Sequence, residues 1–172
     1  QHHKAGENNI VVYTDNEAYF RTILPAEVRY VNVSPAQVKQ WRGAIDFVHR
    51  VKIEVLNDAL QRFPNEHILY LDSDVCFKQN ISFLEEKIRQ GTPLMSLKEG
   101  VIAKSSLRHF KTLASYLKKH HYQIGTTPPT VVAADQAMYN AGIIGLAPTD
   151  LPIVKQVLQL TDFLHPDIQN HV

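Results

Sequence analysis

Four apolar residues in succession, Ile68-Leu69-Tyr70-Leu71, run directly into Asp72-Ser73-Asp74-Val75. An unbroken apolar run of this length is the mark of a central strand covered on both faces. Such strands are at home in α/β arrangements, where helices lie on both faces of the sheet. The carboxylates come where the strand gives way to a loop. In open α/β sheets the carboxyl ends of the strands are where ligands bind.

The rest of the chain fits that frame. Ile10 to Tyr13 reads as a buried strand ending in the turn residues Thr14-Asp15-Asn16, and Val28 to Val33 as a second strand. Ser34-Pro35 has the form of an N-cap followed by proline at the first helical position. From Phe47 to Phe63 apolar residues recur at helical spacing, and Pro64-Asn65 ends the run. Phe83 to Gln90 reads as a helix closed by Gly91, Pro93 to Leu97 as a strand, and Lys104 to His121 as a helix with a basic end. Gly125 to Thr130 reads as a loop, Tyr139 to Leu146 as one further strand, and Leu151 to Leu160 as a last helix. Strands alternating with helices predict a Rossmann-like three-layer α/β/α fold with a mostly parallel sheet. Without repeat or linker, the 172 residues are expected to form one domain, with 1–6 set aside as a tag remnant or disordered segment.

Charge narrows the partners. The 18 basic and 17 acidic residues nearly cancel, which gives no long-range attraction for nucleic acid or an anionic membrane. An anion-binding site must therefore be local. No apolar run approaches the roughly 18 residues that span a bilayer, so no membrane span is expected. Cys76 is the one cysteine, which excludes an internal disulfide and any multi-cysteine zinc site. This fits the cytoplasm, with a Golgi-type lumen as the alternative. Cys76 itself reads as a small buried hydrophobe and Trp41 as a packing residue.

Asp72 and Asp74 carry the chemistry. Two residues apart on extended chain, their side chains share one side. Two carboxylates about 4 Å apart repel by roughly 4 kcal/mol at an effective dielectric of 20, so either one takes up a proton or a cation sits between them. Hard oxygen donors suit Mg²⁺ or Mn²⁺, which complete their shells with water and substrate phosphates. A capping or turn pair is the bland alternative. Arg50 and Lys52 are two apart on the helix and so do not share a face; Arg50, with its bidentate reach, is the preferred phosphate partner. The Lys118-Lys119-His120-His121 cluster is accounted for by complementation of a helix C-terminus.

Leu69 to Val75 resembles the DxD segment of GT-A glycosyltransferases, especially the glycogenin-like and galactosyltransferase-like families. Val11 to Asn16 resembles their first strand and loop, and Tyr139-Asn140-Ala141-Gly142-Ile143-Ile144-Gly145-Leu146 their N-[AS]-G strand. The resemblance implies metal-dependent transfer of a sugar from a nucleotide diphosphate, a UDP-sugar by this likeness, to an unknown acceptor (glycan, lipid or protein). It implies Asp72 and Asp74 on Mn²⁺ or Mg²⁺ and the diphosphate, with Ser73 between them. Thr14, Asp15 and Arg50 would lie on the nucleotide, with Asn140 by the donor sugar. Asp135, just ahead of the N-A-G strand, reads from its position either as a group that orients the donor sugar or an acceptor hydroxyl or as a solvated loop or cap aspartate. Those families continue beyond the N-A-G strand with further acidic and histidine motifs, so the C-terminal part of the domain is expected to be missing. Two alternatives share these letters: a GT-A-like domain that binds nucleotide without turnover, and a haloacid-dehalogenase-like phosphatase with Asp72 as nucleophile.

Overall fold

A computed structural model describes residues 10–106, 108–120 and 135–171 of the chain. It is a mixed α/β protein whose contacts divide it into two compact units, one up to Val51 and one from Lys52.

In the first unit, β1 (Val11–Thr14) and β2 (Arg29–Asn32) pair in parallel, Val11 opposite Arg29 through Thr14 opposite Asn32. Between them lies the short helix α1 (Glu17–Phe20), capped by Asn16, whose Oδ1 accepts from the Tyr19 amide at 3.2 Å. Helix α2 (Pro35–Trp41) starts as its sequence predicts, with Ser34 Oγ accepting from the Gln37 amide at 3.2 Å and proline in the first turn. Trp41 is buried and tilted against Tyr13 at 6.5 Å between ring centres, and Val28 and Val33 are buried with it. Its packing role is as expected.

The second unit is built on β3 (Ile68–Leu71), β4 (Leu94–Met95) and β7 (Ile143–Leu146), which form an antiparallel sheet in the order β3-β7-β4. A separate antiparallel pair joins β5 (Lys98–Val101) to β6 (Ala137–Tyr139), with a bulge between Lys98 and Gly100. The mostly parallel sheet expected from strand–helix alternation is thus not what these ladders form; of the four strand pairings among the described residues, only β1–β2 is parallel. Alternation in sequence does not dictate which strands become neighbours, and β7 enters from far along the chain to lie between β3 and β4.

Helices cover both faces of the β3-β7-β4 sheet. From helix α3 (Arg50–Arg62) come Leu56 and Leu60, and from α6 (Leu151–His171) Val154. These three share one core with Leu146, and Ile53, Ile68, Tyr70, Ile144 and Leu151 pack against it. On the opposite face, Ile88 of α4 (Ser82–Arg89) lies over Gly145. A Cβ there would stand 2.7 Å from Ile88 Cδ1, so only glycine lets the helix approach this closely. Helix α4 closes with Gly91 at φ +75°, where the Thr92 amide donates to Lys87 O at 3.0 Å and the Gly91 amide to Ile88 O at 2.9 Å. This is the glycine-dependent Schellman ending that the Gln90-Gly91 pair suggests.

Several elements differ from the sequence reading, which has no counterpart for α1 or β5. The helix expected over 104–121 is a 3₁₀ turn (Ile102–Lys104) followed by α5 (Arg108–Leu117). At its basic end His120 Nδ1 meets Tyr116 O at 2.8 Å and the two rings stack at 3.8 Å, so the imidazole serves a helix-terminal carbonyl. His121 and the loop expected over 125–130 lie outside the described residues. The strand expected over 139–146 is broken at Asn140, and the last helix continues well past Leu160. No helix among the described residues is long and apolar enough to cross a membrane.

Candidate functional site

The site grows from the point where β3 ends. The Asp72 amide donates to Gly142 O at 2.9 Å, one rung beyond the β3–β7 ladder, and the Val75 amide then donates back to Asp72 O at 3.0 Å. That bond closes a four-residue turn with Ser73 and Asp74 at its corners. The extended geometry that would place both aspartates on one side of a strand is therefore replaced by a turn. Asp72 is partly buried at its base, while Ser73 and Asp74 are exposed.

Both oxygens of Asp72 are engaged. Tyr70 donates its hydroxyl to Oδ1 at 2.7 Å, and Lys52 Nζ stands 2.8 Å from Oδ2. Lys52 also donates to Ala141 O at 3.0 Å and lies 5.4 Å from the centre of the Tyr70 ring. Burial holds the Tyr70 hydroxyl well above its ordinary pKa, and its hydrogen bond to Asp72 and the charges of Asp72 and Asp74 act in the same direction. Tyr70 is therefore a permanent donor at any working pH. The side chains of Lys52 and Asp72 are 20% and 32% exposed, so their pairing is screened less than a surface ion pair.

Facing the turn is the break at Asn140-Ala141-Gly142, where the chain leaves the β5–β6 pair and enters the β3-β7-β4 sheet. The physical cause is the Asn140 side chain. Its Oδ1 accepts from the Gly142 amide at 2.8 Å, an Asx turn that competes with continued strand. Ser96 Oγ lies 3.0 Å from both Asn140 Oδ1 and Asn140 O, and Nδ2 donates to Glu99 Oε1 at 3.1 Å. An amide donor on one side and a carboxylate on the other leave the Asn140 amide a single orientation. A Cβ at Gly142 would meet Asn140 Oδ1 at 2.9 Å and Asp72 Oδ2 at 3.6 Å. Glycine is what lets the Asn140 side chain fold back onto the Gly142 amide.

The structure thus gathers Asp72, Ser73, Asp74 and Asn140 from the sequence reading together with Lys52, which that reading ranked behind Arg50, and adds Tyr70, Ser96 and Glu99. Lys52 meets Asp72. Arg50 Nη1 donates to Trp41 O at 2.8 Å and its side chain covers Gly43. Residues two apart on a helix face differently, but the rule alone does not say where Lys52 points; the packing of α3 decides that. Ser96 and Glu99 carry no periodicity or motif signal in sequence. Thr14 and Asp15 belong to the first unit, where Thr14 is buried with Oγ1 accepting from the Asn16 amide at 3.0 Å and Asp15 is exposed. Asp135 is exposed ahead of β6, with Asn140 following the other end of that strand. Cys76 is exposed rather than buried, because it follows the turn out of the sheet. It borders a cleft of about 460 Å³ together with Phe83, Met95, Ser96 and Ile143.

Among the described residues, no three His, Cys, Asp or Glu side chains converge to cage an ion. Mg²⁺ and Mn²⁺ take one or two carboxylates with the remainder from water and phosphate, so Asp72 and Asp74 suffice as the protein's share. That the region favours a cation is visible in Lys52, whose ammonium is seated between a carboxylate and a carbonyl oxygen. Comparison of the chain with family models, curated proteins and solved structures finds no match.

Proposed function

We propose that this chain carries the donor site of a metal-dependent glycosyltransferase of the GT-A kind, taking a nucleotide-diphosphate sugar, UDP-linked by resemblance. The observation that carries the reading is the junction of two segments 68 residues apart in sequence, Asp72-Ser73-Asp74 and Asn140-Ala141-Gly142, joined by the Asp72 N–Gly142 O bond. A divalent ion bound by Asp74 and Asp72 would act as Lewis acid on the leaving diphosphate. Lys52 brings a compact positive charge for the same anion. Tyr70, a fixed donor, holds the orientation of Asp72. Asn140, Ser96 and Glu99 form a polar rim of donors and acceptors suited to sugar hydroxyls. The nucleotide-side roles of Thr14, Asp15 and Arg50, the role of Asp135 by the sugar and the three-layer Rossmann-like arrangement belong to the same proposal. The acceptor class, glycan, lipid or protein, is left open.

Phosphatase chemistry at Asp72 draws no support from this geometry. Asp72 Oδ1 and Oδ2 accept from Tyr70 and Lys52, which orients the carboxylate without marking it as a nucleophile. A domain that binds nucleotide without turnover is favoured by that same engagement of Asp72. Calorimetric titration of UDP with Mn²⁺, with EDTA, and into Asp74→Ala tests the proposal. Binding that requires both the metal and Asp74 is expected, and folded protein that binds neither UDP nor GDP would overturn it.

A further inference from the structure

Asp72 reaches its resting state with a cation already in place. Lys52 Nζ is held by Asp72 Oδ2 at 2.8 Å and Ala141 O at 3.0 Å, while Tyr70 occupies Oδ1 at 2.7 Å. A carboxylate and a carbonyl oxygen around one positive centre are the hard donors that Mg²⁺ or Mn²⁺ also takes. An ammonium and a divalent ion cannot share Oδ2, because like charges that close in a partly buried site repel strongly. Lys52 is well held: its side chain is 20% exposed and fastened to both the DxD turn and the strand break. Asp74, by contrast, is exposed at the corner of the turn. A metal ion arriving alone therefore meets one open carboxylate. It gains Asp72 only when Lys52 leaves, and Lys52 leaves at low cost only toward another anion.

We propose that Lys52 is a built-in competitor for the divalent ion at Asp72, so that metal and nucleoside diphosphate bind as a cooperative pair. The diphosphate receives the ammonium as the metal takes its place. The identity of the anion rests on the nucleotide-sugar reading above; the competition at Asp72 rests on the geometry alone. By linkage, the factor by which UDP tightens metal binding equals the factor by which metal tightens UDP binding.

Free Mn²⁺, followed by its electron paramagnetic resonance signal, separates the two. Wild-type protein is expected to bind Mn²⁺ weakly alone and about tenfold or more tighter with saturating UDP. Lys52→Met is expected to bind Mn²⁺ without nucleotide about tenfold tighter than wild type and to gain less from UDP than wild type does. Lys52→Arg, which keeps the charge, restores wild-type behaviour. Lys78→Met, which removes an exposed lysine three residues after the turn, controls for general charge and should shift Mn²⁺ affinity by less than about twofold. Lys52→Gln, which keeps a donor without charge, gives the same reading if the methionine variant does not fold. Equal Mn²⁺ affinity of wild type and the uncharged Lys52 variants without nucleotide overturns the competition, as does an arginine variant that behaves like methionine. Absence of any UDP effect in every protein overturns the cooperative pairing and the nucleotide reading, while the nucleotide-free comparison still decides whether Lys52 competes.

Discussion

Replacing Gly142 by alanine presses on the Asx turn of Asn140 at the strand break. The new Cβ would stand 2.9 Å from Asn140 Oδ1, inside ordinary carbon–oxygen contact, but 3.6 Å from Asp72 Oδ2 and 3.7 Å from Val75 Cγ2, which are normal approaches. Asn140 Oδ1 has little room to retreat. It accepts from Gly142 N at 2.8 Å and lies 3.0 Å from Ser96 Oγ, while its amide nitrogen is tied to Glu99. Turning the amide away sacrifices about two hydrogen bonds, each with a net value of about 0.5–1.5 kcal/mol. Against this, Gly142 is not among the glycines at positive φ, so alanine restricts the unfolded chain and returns about 0.4–1 kcal/mol. The expected net loss is about 1–2 kcal/mol. Urea unfolding of a double-mutant cycle with Asn140→Ala isolates the cause. In the Asn140→Ala background the obstructing oxygen is gone, and Gly142→Ala should be neutral or slightly stabilising. An equal loss in both backgrounds would refute the account, since the clash would then lie elsewhere.

Other perturbations follow from the same geometry. Tyr70→Phe removes the donor to Asp72 Oδ1 and should cost about 1–2 kcal/mol in urea unfolding at neutral pH. Because the Tyr70 hydroxyl is raised above the ordinary tyrosine value of about 10, the folded state keeps a proton there that the unfolded state loses. Stability from this group is thus complete below pH 10 and falls as pH rises beyond it. The slope is at most about 1.4 kcal/mol per pH unit before solvent screening, and Tyr70→Phe should flatten it. Gly145→Ala drives a methyl into Ile88 and should cost about 1–3 kcal/mol by thermal unfolding, with partial rescue by Ile88→Val. Ser34→Ala, which uncaps α2, should cost about 1 kcal/mol in the first unit, and a value near zero would show that the cap is idle.

The parts legible in sequence were those whose cause is local. Ser34-Pro35 starts a helix because capping needs only neighbouring amides, and Gly91 ends α4 because one residue must take positive φ. The apolar run 68–71 forms a strand for the same kind of reason. Even the turn chemistry of Asn140 is local, although the apolar letters on either side of it concealed the break. Sheet pairing is another matter. β7 lies antiparallel between β3 and β4 through contacts far apart along the chain, and no pattern within β7 specifies those partners.

The candidate site divides along the same line. Asp72 and Asp74 are visible as letters at a strand end, and Asn140-Ala141-Gly142 as a motif. Sequence alone thus determined which residue types stand where the strand ends. Only the tertiary structure decided that Lys52, twenty residues earlier, holds Asp72, and that Ser96 and Glu99 hold Asn140. The reason is physical: periodicity and capping are set by residues within a few positions. The charge that neutralises Asp72 is set by how α3 packs across the sheet, and that depends on the whole core of Leu56, Leu60, Leu146 and Val154.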